Sequence, residues 1–416
     1  MPNSSLARKL TYSDAVFIGL AAMVGAGIFT AISPAAAAAG PWIGLSLLIA
    51  AFIAFCNAAS SAELAALYPS AGGTYLYAGK QLHPFAGFIA GACFLCGKTA
   101  SGAAMALAFA HYAFPAWEKP LAVSAILVLT LVNLVGIEKT AQASRIIVCI
   151  VIAGLLILVG LCLSTASPIE TAAQSHLDLS NILQGAAIWF FAFAGYARLA
   201  TLSEEVKEPG RVLNKAIITS LLLALALYGL VAFAALRSAG ADALAASPAP
   251  LATAVQAAGY DQLRYVVACF AALACLGVLL SLIAGISRTL LAMSRAGDMP
   301  RSLSVINAKF QTPARCELAV ACAMIAAVLL FDLAQAIGFS AFSVLLYYAL
   351  ANISALTLSK DRKIWPRIFS VIGLLGCVAL AFSLPVITIA ISMGLLVLFA
   401  LYYIFTVLWR RHVPDL

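Results

Sequence analysis

Two glycine-bearing stretches, Gly25-Ala26-Gly27-Ile28-Phe29 and Phe193-Ala194-Gly195-Tyr196, lie near the middles of long apolar runs. Glycine weakens a helix, and a helix interrupted inside a hydrocarbon layer exposes N–H and C=O groups that would otherwise bond one another. The N-terminus of a half-helix presents its N–H groups and its dipole to an anionic group, so both stretches are candidate binding points at the bilayer midplane. Close helix packing is the competing role for membrane glycines, and Gly87 with Gly91, in G-x-x-x-G spacing, fits it.

Two formal charges also fall inside apolar runs. Lys98 stands fourteen residues after Pro84, about 21 Å along a helix, and Arg198 follows the second glycine stretch. Charges at membrane depth are expensive, which makes each a functional candidate. Desolvation eases deprotonation of an ammonium, so Lys98 is a candidate for losing and regaining a proton; the alternatives are a fixed partner or snorkelling, which its depth disfavours. A guanidinium stays charged, so Arg198 suits locking an unwound segment, pairing with a carbonyl or repelling cations. Glu63, Glu204 and Glu205 fall at the ends of apolar runs, as do Arg288 and Arg295. They suit either an ion-pair gate or plain interfacial solvation.

The elements that must carry these groups follow from composition. Of the 416 residues 64% are hydrophobic and 10% charged, against roughly 45–50% and 25% in soluble domains, which excludes a water-soluble enzyme. The 48 residues 15–62 carry no charge. At about 1.5 Å per residue they would make about 72 Å of helix, two crossings of a layer about 30 Å thick, with the break at Gly40-Pro41. The 42 residues 368–409 are likewise uncharged and divide at Pro385. Single spans at 84–112, 120–137, 146–166, 181–201, 214–236, 265–288, 316–333 and 336–358 bring the expected total to twelve. No ten-residue alternating pattern appears, so the spans are expected as helices rather than barrel strands.

The expectation is therefore an all-α membrane protein, one transporter-like domain over 1–416. The glycine breaks fall five helices apart, which suggests two inverted repeats, helices 1–5 over 15–166 and 6–10 over 181–358, with discontinuous helices 1 and 6 and two peripheral helices over 367–409. With an even count both termini share a side. Nineteen of the 24 lysines and arginines lie on it, and only Lys119, Arg237 and Arg264 on the other. Both termini are accordingly expected in the cytoplasm, in a plasma or inner membrane, and the net charge of +8 needs no nucleic-acid partner.

The ten cysteines lie mostly in apolar runs and read as small buried hydrophobes rather than a disulfide framework. The first apolar stretch is too long for a cleaved signal peptide. Gly97-Lys98-Thr99 lacks the glycine a phosphate-binding loop needs, Ala92 standing in its place; Cys93-x-x-Cys96 has no companion pair, and the four histidines are isolated. No metal or cofactor is expected.

Four segments together resemble the amino acid–polyamine–organocation superfamily of permeases over nearly the whole chain. They are Gly25 to Phe29; Ala62-Glu63-Leu64 followed by Tyr68 to Tyr75; Phe190 to Tyr196 running into Glu204-Glu205-Val206-Lys207-Glu208-Pro209; and Gly285-Ile286-Ser287-Arg288 with Met293 to Pro300. The resemblance implies a secondary transporter with ten core helices in a five-plus-five inverted repeat. It implies that the backbone around Gly25, Ala26, Gly27 and Ile28 receives a substrate carboxylate, that carbonyls near Phe190, Phe193, Ala194 and Gly195 face its amine, and that Tyr196 shapes the side-chain pocket.

Ser287 is similar to a hydroxyl ligand of sodium-coupled relatives, but Arg288 beside it would repel a cation. Some proton-coupled relatives carry a lysine on helix five, whereas residues 146–169 hold no charge here; Lys98 is the candidate replacement. The cargo expected is a small amino acid or related zwitterion, carried by proton linkage or exchange, with an amine or polyamine as the alternative. The remaining alternatives are a channel or receptor, for which no charged ring or extramembrane domain is visible, and an intramembrane enzyme, for which paired acids and a nucleophile motif are absent.

Overall fold

A computed structural model describes residues 11–25, 27–68, 72–135, 141–164, 178–196, 199, 206, 209–307 and 309–412. Ala26, Arg198 and Glu204, three of the candidate residues, lie outside the described residues.

The first apolar run forms α1 (Tyr12–Val24), α2 (Gly27–Thr30) and α3 (Ile32–Ala39). Thr11 and Asp14 start it with a capping box, each side chain accepting the other's backbone N–H. The chain turns where expected: Gly40 adopts φ 53°, in the left-handed region, and a 3-10 turn over Gly40–Trp42 leads into α4 (Ile43–Leu67). A short α5 (Thr74–Gln81) precedes α6 (Pro84–Ala113), which Pro84 opens at a position where its missing N–H costs nothing. Then follow α7 (Glu118–Leu134), α8 (Ala141–Ser164), α9 (Leu179–Phe193) and α10 (Pro209–Ala239). Two short helices, α11 (Ala241–Ala246) and α12 (Pro250–Ala257), connect to α13 (Arg264–Arg295). The chain closes with α14 (Ala314–Leu330), α15 (Leu333–Leu356), α16 (Arg367–Phe382) and α17 (Val386–His412).

Eight helical segments among the described residues are long and apolar enough to cross a membrane. The chain is thus an all-helical integral membrane protein. Burial separates core from rim: 89% of the apolar window of Pro84–Ala113 and 83% of that of Leu333–Leu356 are covered by protein, against 17% for Val386–Thr406. On α17 the exposed Val386, Leu398 and Phe405 are suited to lipid.

Packing divides the helices into two neighbourhoods. In one, α4 lies against α9 and α10, α1 against α10, and α3 against α9. In the other, α6 lies against α13 and α14, and α7 against α13 and α14. The helices α8 and α15 flank both, α8 touching α1, α10 and α13, and α15 touching α9, α4 and α6.

Glu63, near the end of α4, does not join an ion-pair gate with Arg288 and Arg295. Its carboxylate accepts the backbone N–H groups of Ile364, at 2.8 Å, and Trp365, and lies 4.0 Å from the Lys363 ammonium. Burial pushes the Lys363 amine below its ordinary value, and the nearby carboxylate offsets part of that. Trp365 and Phe369 pack edge-on against Phe55 of α4, and Ser60 bonds Ser370 at 3.0 Å. The peripheral α16 is thus pinned to the core by a buried carboxylate. Glu63→Ala should cost about 1–3 kcal/mol by leaving two N–H groups unmet, lowering the melting temperature in detergent. Glu63→Gln, which keeps an acceptor oxygen, should recover most of the loss.

Candidate functional site

Both glycine stretches interrupt their helices. α1 stops at Val24, Gly25 caps it, and the helix resumes at Gly27 as the four-residue α2. α9 stops at Phe193 and gives way to a 3-10 turn over Ala194–Tyr196; the Ala194 N–H is shared between the carbonyls of Phe190 and Phe191.

The two interruptions lie directly against each other. A Cβ on Gly27 would overlap Ala192 and come within 2.9 Å of the Tyr228 hydroxyl. A Cβ on Gly195 would run into the backbone of Ala22 and Met23, whose nitrogen would be 2.8 Å away. Each break therefore needs glycine because the other break's backbone occupies the space a side chain would take. Gly25 is similarly tight against α13, where Val278 Cγ2 would meet an added Cβ at 2.6 Å.

Side chains from other helices answer the carbonyls that the interruptions release. Lys98 of α6, buried, donates from Nζ to the Ala194 carbonyl at 3.1 Å. Tyr228 of α10 donates from its hydroxyl to the Ala192 carbonyl at 3.2 Å. Tyr112 of α6 donates to the Phe29 carbonyl at 3.1 Å, while within α2 itself the Thr30 hydroxyl donates to the Gly27 carbonyl at 3.4 Å. Ammonium and phenol dipoles so placed meet the negative pole of a terminated helix.

An aromatic wall adjoins the break after α9. Tyr196 stacks on Tyr348 of α15 with ring centroids 5.0 Å apart and planes at 28°, and Phe190 meets Tyr348 edge-on at 5.7 Å. Phe193 and Trp189 instead pack on Tyr228, at 5.2 and 6.2 Å. Phe190 and Phe193 thus face different neighbours. Ile28 is fully buried within α2, and Ser287 donates its hydroxyl to Ile283 of its own helix at 2.7 Å. No group of three histidine, cysteine or acidic side chains among the described residues is placed to hold a metal ion.

Sequence reasoning singled out Lys98, Ala194 and Gly195, and the structure brings these three together with Gly27. It missed Tyr228, Tyr112 and Tyr348, which carry no spacing signal; each is one of 13 tyrosines in the chain. The signal that could have found them is the polar tip of a tyrosine deep in an apolar run, where it requires a partner.

The chain is a multi-pass helical protein in which two interrupted helices meet. The chain matches the model of the amino acid permease family over residues 10–412, and it belongs to that family. It is a transporter-family membrane protein, not an enzyme. Among its relatives, an uncharacterized transporter of Mycobacterium tuberculosis is 46% identical over 393 residues, covering 94% of this chain and 89% of the relative. The branched-chain amino acid permease BcaP of Bacillus subtilis is 27% identical over 99% of this chain and 90% of the relative. Cationic amino acid transporter 1 of Arabidopsis thaliana is 26% identical over 74% of this chain and 55% of that protein.

The apposed glycines generate a direct test. Gly27→Leu and Gly195→Leu should each lower the melting temperature, measured by thermal denaturation in detergent, because the breaks can no longer touch. Gly229→Ala, where an added Cβ meets nothing within 4 Å, should be neutral, or stabilising by up to about 1 kcal/mol.

Proposed function

We propose that this permease moves a small neutral amino acid, or a related zwitterion, across the membrane by alternating access. The observation that carries the proposal is the mutual contact of two interrupted helices, Gly27 on Ala192 and Gly195 on Ala22. Backbone dipoles of both signs converge there, which suits a carboxylate and an ammonium held close together. In this reading the backbone from Gly25 through Ala26 and Gly27 to Ile28 takes the carboxylate. The carbonyls of Phe190, Phe193, Ala194 and Gly195 form the ammonium side, and Tyr196 bounds the side-chain pocket with Phe190. Lys98 is the coupling group, carrying a proton or setting exchange. Arg198 locks the unwound segment, Glu204 serves the cytoplasmic gate, and Ser287 flanks the break from the eighth span.

Helix packing supports the twelve-span, five-plus-five architecture. Exchanging spans 1–5 for 6–10 turns each main contact into another that is present. The pair α1 with α10 becomes α9 with α4, α1 with α8 becomes α9 with α15, α8 with α10 becomes α15 with α4, and α6 with α14 becomes α13 with α7. Nineteen basic residues against three support cytoplasmic termini. Between the branched-chain and cationic cargo named for relatives, the break favours the neutral class, since among the described residues no carboxylate is bonded there to meet a cationic side chain.

Proteoliposomes of the purified protein should take up labelled L-leucine or L-alanine saturably and show counterflow, with L-arginine a poor competitor. Preferred uptake of L-arginine or putrescine would replace this reading with an organocation carrier. Flux that does not saturate would point to a channel.

A further inference from the structure

Among the described residues Lys98 is the one cation bonded at the break after α9, and its ammonium donates to a neutral acceptor, the Ala194 carbonyl. Ala194 caps the C-terminal end of α9, so its carbonyl belongs to the pole that attracts positive charge. An arriving zwitterion brings its own ammonium to the same pole. Two ammonium groups cannot share one carbonyl in a water-poor site, because nothing screens their repulsion.

Among the described residues no carboxylate is paired with the Lys98 ammonium. The ionisable groups of Cys93 and Cys96 on α6, Tyr347 and Tyr348 on α15 and Tyr196 beside Ala194 carry no charge at neutral pH. On the other elements packed against α6, the acids Glu118 and Glu317 sit in the first turns of α7 and α14. The basic residues there are Lys80 on α5, Lys119 on α7, Arg315 on α14, Arg264, Arg288 and Arg295 towards the ends of α13, and Arg410 and Arg411 in the sequence of α17, while His111 of α6 itself lies 3.0 Å from Glu118.

We propose that Lys98 holds the place of the cargo: its ammonium and the α-ammonium of the substrate are alternative occupants of the Ala194 carbonyl, and binding of a zwitterion expels the Lys98 proton. One N–H bond of the ammonium breaks, its electron pair stays on Nζ as a neutral amine, and the proton leaves to solvent. The site then holds one ammonium group whether empty or loaded. Because proton and cargo exclude each other, the carrier moves them in opposite directions. This rests on the transport reading above, and it fixes the sense of its proton linkage.

The test is calorimetric titration of the purified full-length protein with L-leucine and L-alanine in buffers of different ionisation enthalpy. Up to one proton should be released per amino acid bound, and apparent affinity should fall up to about tenfold for each unit of acidification, since the protonated form competes. Lys98→Met should bind with neither proton release nor pH dependence. Lys98→Arg, which keeps the charge and cannot release it, should bind at least tenfold more weakly and without proton release. Binding to the wild type without proton release, or with proton uptake, overturns the inference while leaving the transport reading intact. Failure of both amino acids to bind sinks the transport reading and this inference with it.

Discussion

An interrupted helix inside a membrane is an electrostatic problem before it is a binding site. Each peptide group left without its partner costs several kcal/mol in hydrocarbon, where water is not at hand. Here the two interruptions are set against each other, and the carbonyls they release are met from the side. Ala192 receives the Tyr228 hydroxyl, Ala194 the Lys98 ammonium and Phe29 the Tyr112 hydroxyl. The donors come from α6 and α10, so the breaks beside α2 and after α9 are met by side chains that those two helices present. The placement of four helices follows from satisfying a handful of carbonyls.

That arrangement needs helices closer together than ordinary side chains permit. Gly27 on Ala192 and Gly195 on Ala22 are backbone contacts, and Gly185 is similarly tight against Ala39 of α3 and Ser46 of α4. Elsewhere the seams are closed by methionine: Met293 fills the space over Gly91, and Met324 that over Gly102. Small residues supply close van der Waals approach where apolar burial gives no drive, because lipid is as apolar as the core. Methionine, unbranched and adaptable, suits seams between α6 and the helices α13 and α14 that have to tolerate sliding. Close backbone contact at the breaks with pliable contact around them is a mechanical combination that fits rocking about a fixed centre.

Much of this was legible in the sequence because it depends on local rules. Glycines halfway along uncharged runs mark weak points, Gly40 before Pro41 marks a turn, and a lysine fourteen residues past Pro84 cannot easily reach an interface. What could not be read depends on apposition across the chain. Glu63 sits at a helix end like many interfacial acids, and only folding brings it to backbone N–H groups 301 and 302 residues later. Tyr228 meets Ala192 from 36 residues away, and Lys98 meets Ala194 across 96. The sequence shows that Lys98 requires a partner but not which one, because any terminated helix offers a suitable carbonyl.

The identity of that partner matters. A buried lysine paired with a carboxylate forms a strong mutual lock, since removing either charge leaves the other stranded in a medium of low dielectric. A neutral carbonyl binds more weakly and does not cancel the charge, so the ammonium remains poised between two outcomes, loss of its proton or replacement by another cation. Lys98 has the carbonyl. Under the exchange proposed above, that bond satisfies the break after α9 in the empty site and yields to a ligand bearing the same group. A carboxylate at that position would make the lysine structural; a carbonyl leaves it exchangeable, as the proposed carrier cycle requires.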